Sequence, residues 1–432
     1  MATPPPVLFD RALEAAVNAS VNAGGTVGAQ VVLVRDLRGR IRPVLTARRA
    51  DVDQASLAQY SQALSGVLGA YGFPPDRAVL FAEDMAEQQE VLSEKRLLRQ
   101  EQDLSIYLLD RQVIGLDWMR GTLQRTSTNP RFTFYGLKGG VGRSTALVNW
   151  AWHLAEQGKR VLVLDLDLES PGVSSSLLPA SHFPDHGIVD WFVEDGVGQA
   201  GAVESEMLGT SPLAQGLSGE IQVVPAYGGK TGDYLPKLSR CYAEFSGNSS
   251  LSWAERLQKL VEHMEQKVGP DVVILDSRAG LHDIAAVLAT RMDADTLLFA
   301  IDTPQTWAGY SLLFKHWRNH PQVRSFRERL QIIASMVPET GRDDYLQGFK
   351  EHAWDLFREH LYDETGPQDV DTFSFDLDDE AAPHGPVPIF WHRALQEFDP
   401  GKGGIDTKTA AEAFGTFFEQ VDRLLATSGK RA

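Results

Sequence analysis

Nine residues, LKGGVGRST from Leu137 to Thr145, set a glycine-rich turn beside two cationic side chains and two hydroxyls. Such a string does one kind of chemistry well, which is holding phosphate. It follows the apolar run RFTFYG and opens the helical pattern RSTALVNWAWHLAEQG, which stops at Gly158. A strand, a glycine turn and a helix in that order aim backbone N–H groups and the positive end of a helix dipole at one point. Leu137, Lys138, Gly139, Gly140, Val141, Gly142, Arg143, Ser144 and Thr145 are therefore the candidate phosphate-binding residues. The loop departs from the general pattern twice. Arg143 stands where a lysine is usual, and the first glycine lies one place early, at Gly136 instead of position 137.

Two further segments supply carboxylates. In VLVLDLDLESPG, Asp165 and Asp167 are two apart and share a face of a strand, at the end where open α/β sheets bind ligands. DVVILDSRAG places Asp276 at the end of a second apolar run. Phosphoryl transfer needs positive charge near the β and γ oxygens and little covalent help, so a guanidinium at Arg143 can replace an ammonium electrostatically. The exchange is not neutral, because arginine is planar and bulkier than the point charge it replaces.

These residues need a scaffold, and the rest of the chain supplies the pattern of one. RFTFYG, RVLVLDLD, IQVVPA, DVVILD, TLLFAID, LQIIASMV and VPIFW read as strands, mostly buried on both faces, with helical patterns between most of them. The expected fold is a doubly wound, mostly parallel α/β domain spanning 130–432, preceded by a small α+β domain over 1–125. In the smaller domain, FDRALEAAVNASVN and SLAQYSQALSGVLGAYG read as helices, the latter stopped by Gly72; AQVVLVRDLRGRIRPVLTA reads as two strands. A further helix is expected around 83–98 before the strand LSIYLLD. The polar stretch RGTLQRTSTNP marks the domain boundary.

With loop, helix and carboxylate strands assembled, the segment from about residue 131 onward resembles the deviant Walker A, ParA/MinD family of P-loop ATPases. The resemblance rests on LKGGVGRST, Asn149, Gly158 and KRVLVLDLD. It implies ATP and Mg2+ as ligands and an ATP-induced homodimer. By that resemblance Lys138 reaches the partner subunit's nucleotide, Arg143 contacts the β and γ phosphates, and Ser144 ligates magnesium. It further implies that Asp165 arranges the metal shell, Asp276 acts on the magnesium and Asp167 positions the attacking water. The catalytic candidates are then Lys138, Arg143 and Asp167, and the metal candidates Ser144, Asp165 and Asp276. Relatives commonly carry prolines after the second-strand aspartate; this chain has Ser277 and Arg278. Two functions fit: a slowly hydrolysing dimeric switch whose N-terminal domain meets a protein partner, and a weak or inactive ATP-sensing scaffold in signalling or phage defence.

Composition narrows the partners. The 432 residues carry a formal charge of −17, which disfavours a chain coated in nucleic acid. The stretch FKHWRNHPQVRSFRER concentrates arginines and histidines, and a solvated face is preferred there over a DNA surface. The last helix has an apolar stripe through Phe414, Phe417, Phe418 and Val421, but its acidic face, with Glu412, Glu419 and Asp422, suits domain packing better than anionic lipid. The run from Asp363 to Glu380 is acidic and reads as an exposed insertion. A lone cysteine, no bilayer-length apolar run and no signal-peptide pattern lead to a cytoplasmic expectation.

Overall fold

The computed structural model describes residues 6–86, 88, 92, 95–101, 103–112, 114–243, 251–364, 372–379, 381–395 and 404–431. The chain forms two compact units, Met1–Ile114 and Gly115–Ala432. The division falls earlier than the 125–130 stretch expected from composition. Polar residues there are anchored within the second unit: Leu123 N–H donates to Arg291 O at 2.8 Å, Asn129 donates to Pro270 O at 2.6 Å, and Trp118 is buried beside Tyr135 and Trp317.

In the first unit, α1 (Phe9–Ala23) and α2 (Gln54–Leu68) pack on a five-stranded mixed sheet. Its strands are β1 (Gln30–Arg35), β2 (Ile41–Leu45), β3 (Leu80–Phe81), β4 (Arg96–Glu101) and β5 (Leu104–Asp110), in the order β3-β2-β1-β5-β4. Alternation decides the faces. Val31 and Leu33 join Ala12, Ala16 and Leu64 in the main core, whereas Val32 joins Val44 and Leu109 on the other side. The helix expected over 83–98 is met only in part: Gln88 is helical and accepts from Leu92 N–H at 3.1 Å. Residues 82–84 are a single 3-10 turn and 96–98 belong to β4, antiparallel to β5, while much of the remainder lies outside the described residues. Long-range strand pairing outweighs the helical propensity of a charged segment.

The second unit is an eight-stranded sheet of β6 (Arg131–Gly136), β7 (Arg160–Asp165), β8 (Gly209–Thr210), β9 (Glu220–Val224), β10 (Val272–Asp276), β11 (Asp295–Ala300), β12 (Leu330–Val337) and β13 (Val387–Phe390). The order is β13-β12-β11-β6-β10-β7-β9-β8, parallel throughout except for β8 against β9. This is the doubly wound, mostly parallel architecture that the sequence pattern implies. Helices α3 (Arg143–Glu156), α4 (Val173–Leu177), α5 (Ile188–Asp195), α6 (Tyr234–Cys241), α7 (Trp253–Val268), α8 (Asp283–Ala286), α9 (Pro304–Arg318), α10 (Val323–Arg327), α11 (Arg342–His360) and α12 (Thr407–Arg431) surround it. Val161 and Val163 of β7 face the α3–α12 side; Leu162 and Leu164 face α5 and α7.

The stripe on α12 is a core stripe. Phe414, Phe417, Phe418 and Val421 are buried with Leu147, Trp150 and Leu154 of α3. Asp422, expected on the solvent face, instead accepts from Trp150 Nε1 at 3.0 Å, because the helix turns that residue toward α3. The basic segment is similarly drawn inward: Arg327 forms ion pairs with Asp363, Arg329 with Asp293, and buried His320 meets Arg120 O. The acidic run is not simply exposed. Asp363 holds Arg327 and also accepts from Phe373 N–H at 3.0 Å, and Phe373 packs edge-on against Tyr362; residues 365–371 and 380 lie outside the described residues. Among the described residues, no helix is long and apolar enough to cross a membrane.

Candidate functional site

The loop from Leu137 to Gly142 joins the central strand β6 to α3, at the point where the strand order turns outward in both directions. Gly140 and Gly142 have φ of 74° and 77°, values at which a side chain strains the backbone, so glycine is required there by conformation. A Cβ built on Gly139, Gly140 or Gly142 meets nothing within 4 Å; the loop is a cradle open to solvent. Val141 is buried and anchors it, while Lys138 is exposed. Gly142 caps α3, whose first turn carries Arg143, Ser144 and Thr145. The helix closes at Gly158, φ 82°, with Lys159 N–H donating to Leu154 O at 2.9 Å.

The three aspartates converge beside this cradle. Asp165 and Asp276 are register partners at the ends of adjacent parallel strands, and Asp167 follows β7 by two residues. Arg143 does not point away from them into the loop. Its Nε donates to Asp276 Oδ1 at 3.0 Å and its Nη2 donates to Asp167 Oδ2 at 3.2 Å, all three side chains being buried. Ser170 donates to the other oxygen of Asp167, N–H at 3.3 Å and hydroxyl at 3.1 Å. Asp165 Oδ2 accepts from Ser174 N–H at 2.9 Å and from its hydroxyl at 2.5 Å, whereas Oδ1 is buried with no partner.

Charge in this cluster is unbalanced, with one guanidinium among three carboxyls. Burial pushes the Asp165 carboxyl up to about 6, the Ser174 hydrogen bonds only partly opposing it. Burial likewise raises Asp276 to about 7, with Asp165 and Asp167 adding to the rise and Arg143 pulling against it. For Arg143, burial works against the charge, but Asp276 and Asp167 more than offset it and hold the guanidinium charged.

The fit to a divalent cation follows from these oxygens. Asp276 Oδ1 and Asp167 Oδ2 are already taken by the guanidinium of Arg143. No cluster of three or more His, Cys, Asp or Glu among the described residues is arranged to hold a metal. Asp165 Oδ1 is an orphan acceptor, but alone it makes no shell. As arranged, Asp276 Oδ1 is committed to Arg143 and does not fit direct contact with a divalent ion while that pair is made.

Two features carried no signal in the sequence. Glu169 accepts from Arg278 Nη1 at 2.6 Å and from the Tyr242 hydroxyl at 2.8 Å, so Arg278 is tied to a carboxylate at the site's edge. Beside the loop lies a cavity of about 300 Å³, lined by Gly140, Gly142 and Thr145 at one end and by Met336, Ile389, Phe390, Trp391, His392 and Phe414 at the other. Met336, in its lining, has φ 54° and lies where the β12–β13 register shifts, between Ala334 and Val337. Positive φ at a non-glycine residue lining a cavity is strain of the kind that gathers at ligand sites. A register shift between strands far apart in the chain cannot be read from either strand alone.

Residues 131–186 match a family model described as an AAA domain. No curated protein matches the chain. Among solved structures, the chain is similar to a ParA family ATPase from Chlorobium tepidum TLS at 14% identity, covering 66% of this chain and 92% of that one with a TM-score of 0.41. It is also similar to the cell division ATPase MinD of Pyrococcus furiosus, at 17% identity over 68% and 99% of the two chains, TM-score 0.41. A third similarity is to a Cyanothece McdA variant in complex with ATP, at 14% identity over 69% and 97%, TM-score 0.43.

Proposed function

We propose that the second unit of this chain is a ParA/MinD-like P-loop ATPase that binds ATP at residues 137–145 and hydrolyses it slowly as a nucleotide-controlled switch. The observation that carries this reading is the open cradle of Gly139, Gly140 and Gly142 at the N-terminus of α3, facing three convergent aspartates. Backbone N–H groups and the helix dipole bind the phosphates there, and Arg143, Lys138 and the Ser144 and Thr145 hydroxyls add charge and donors. The adjoining cavity receives the base, with Trp391 and Phe390 as its aromatic wall and His392 as a polar contact. Asp167 orients the attacking water once its oxygen is released from Arg143. ATP closes two copies face to face through Lys138, hydrolysis opens them, and the first unit couples that cycle to a protein partner.

One observation favours the second reading, an ATP-sensing scaffold with little turnover. The carboxylate that would orient the water is the one Arg143 holds at 3.2 Å, which keeps it from water until the pair separates. ATP titration, phosphate release and sedimentation with and without ATP, all on pure full-length protein, separate the readings. Binding, slow release and an ATP-dependent dimer support the switch; binding without release supports the scaffold; no ATP binding removes both.

A further inference from the structure

We infer that Arg143 is the resident cation of this site, standing in for a divalent metal, so that the chain binds nucleoside triphosphate without magnesium. The inference rests on the nucleotide-binding reading above and deepens it. A cation in a phosphate site has two tasks: it neutralises the carboxylates that face the ligand and bridges them to phosphate oxygens. Arg143 already neutralises two of the three carboxylates, with Nε on Asp276 and Nη2 on Asp167. Its third nitrogen, Nη1, has no hydrogen-bond partner among the described residues and is available to a phosphate oxygen. Arg143 is the first residue of α3, directly after Gly142, so its backbone is part of the cradle.

The residue type matters to this argument. A guanidinium is a rigid planar fork with five N–H donors and can hold two carboxylates along one side while presenting another edge to an anion. A lysine offers one point of charge and cannot span Asp167, Asp276 and a phosphate in the same way. A divalent ion held by Asp276 would also lie against the guanidinium and be repelled by it, so arginine and metal are alternatives at this point.

The test is ATP titration of the full-length protein in excess chelator and in magnesium, for wild type and Arg143→Lys, with circular dichroism melts to confirm that both are folded. Wild type is expected to bind with dissociation constants within about threefold in the two buffers, a difference under about 0.7 kcal/mol. Arg143→Lys is expected to bind about tenfold or more weakly in chelator than in magnesium. A wild type that itself loses about tenfold or more in chelator overturns the inference while leaving the nucleotide reading standing. Equal metal dependence in the two proteins overturns it as well. Absence of binding in both buffers removes the nucleotide reading and this inference together.

Discussion

Strand β6 carries a buried arginine at its start and leads, through the loop, to a second one at the start of α3, and the two lie in opposite electrostatic situations. Arg131 is matched one to one. Its Nε and Nη2 each donate to Glu265 at 2.8 Å, Nη1 donates to Gln258 and to Met292 O, and Nη2 also donates to Ser127. Every nitrogen is used and no carboxylate is left over. Arg143 faces three carboxyls with two of its nitrogens and leaves a buried oxygen of Asp165 unpaired. A closed ion pair specifies packing; an open one is poised to accept further charge. The N-terminal ends of the strands thus hold a closed ion pair and the C-terminal ends an open one.

If that contrast is right, substitutions at the two ends fail in different assays. Arg131→Ala should destabilise the fold by about 3–5 kcal/mol, since it strands a buried Glu265 charge. Denaturant unfolding reads that loss, and the fraction that remains folded should keep wild-type ATP affinity. An unchanged midpoint would put Arg131 outside the structural class.

At the other end the expected losses are functional. Asp167→Ala should retain ATP binding while lowering phosphate release by about 100-fold or more, the usual range for a lost general base. Release that stays within a few-fold would mean Asp167 serves only to hold Arg143. Next in size, Arg143→Ala should weaken ATP binding about ten- to hundredfold, the equivalent of one charge-assisted hydrogen bond of about 1.5–3 kcal/mol, with a smaller stability change than Arg131→Ala. Unaltered affinity in calorimetry would place the guanidinium outside the phosphate contacts.

The smallest effect concerns pH. The raised folded-state values of Asp165 and Asp276, about 6 and about 7, favour their protonated forms in the fold. Their stabilising contribution is therefore fully present below the unfolded value near 4 and is lost as pH rises through 6 to 7. Wild-type stability relative to Asp165→Asn should fall by roughly 1–2 kcal/mol between pH 5 and pH 8 in ligand-free protein. Arg131→Ala should by contrast fall further below wild type as pH rises, because it leaves Glu265 as a buried carboxyl without its guanidinium. A wild-type-to-Asp165→Asn gap that is flat with pH would show the cluster to be balanced after all.

Local pattern carried much of this protein openly. Apolar runs bounded by turn residues gave all seven major strands of the second unit, since a strand buried on both faces must be apolar along its whole length. The loop was legible because a positive φ at positions 140 and 142 admits glycine and little else. Asp165, Asp167 and Asp276 were legible as strand-end residues. Boundaries were less so: residues 115–130 look like a linker because they are polar, yet their hydrogen bonds belong to the second unit, and β4 reads as helix because its partner β5 is what makes it a strand.

What the chain alone determined is the set of parts, a phosphate loop, a helix behind it and carboxylates on two strands, because each depends on residues near one another in sequence. What only the tertiary structure decided is how those parts are wired. Arg143 meets Asp276 across 133 positions and Asp167 across 24, and no rule of spacing tells a guanidinium whether to face phosphate or carboxylate. The cavity beside the loop is lined from α3, β13 and the irregular end of β12, and Asp165 has one oxygen on Ser174 and the other unpaired. Charge balance in a buried cluster is a sum over neighbours in space, and folding is what brings those neighbours together.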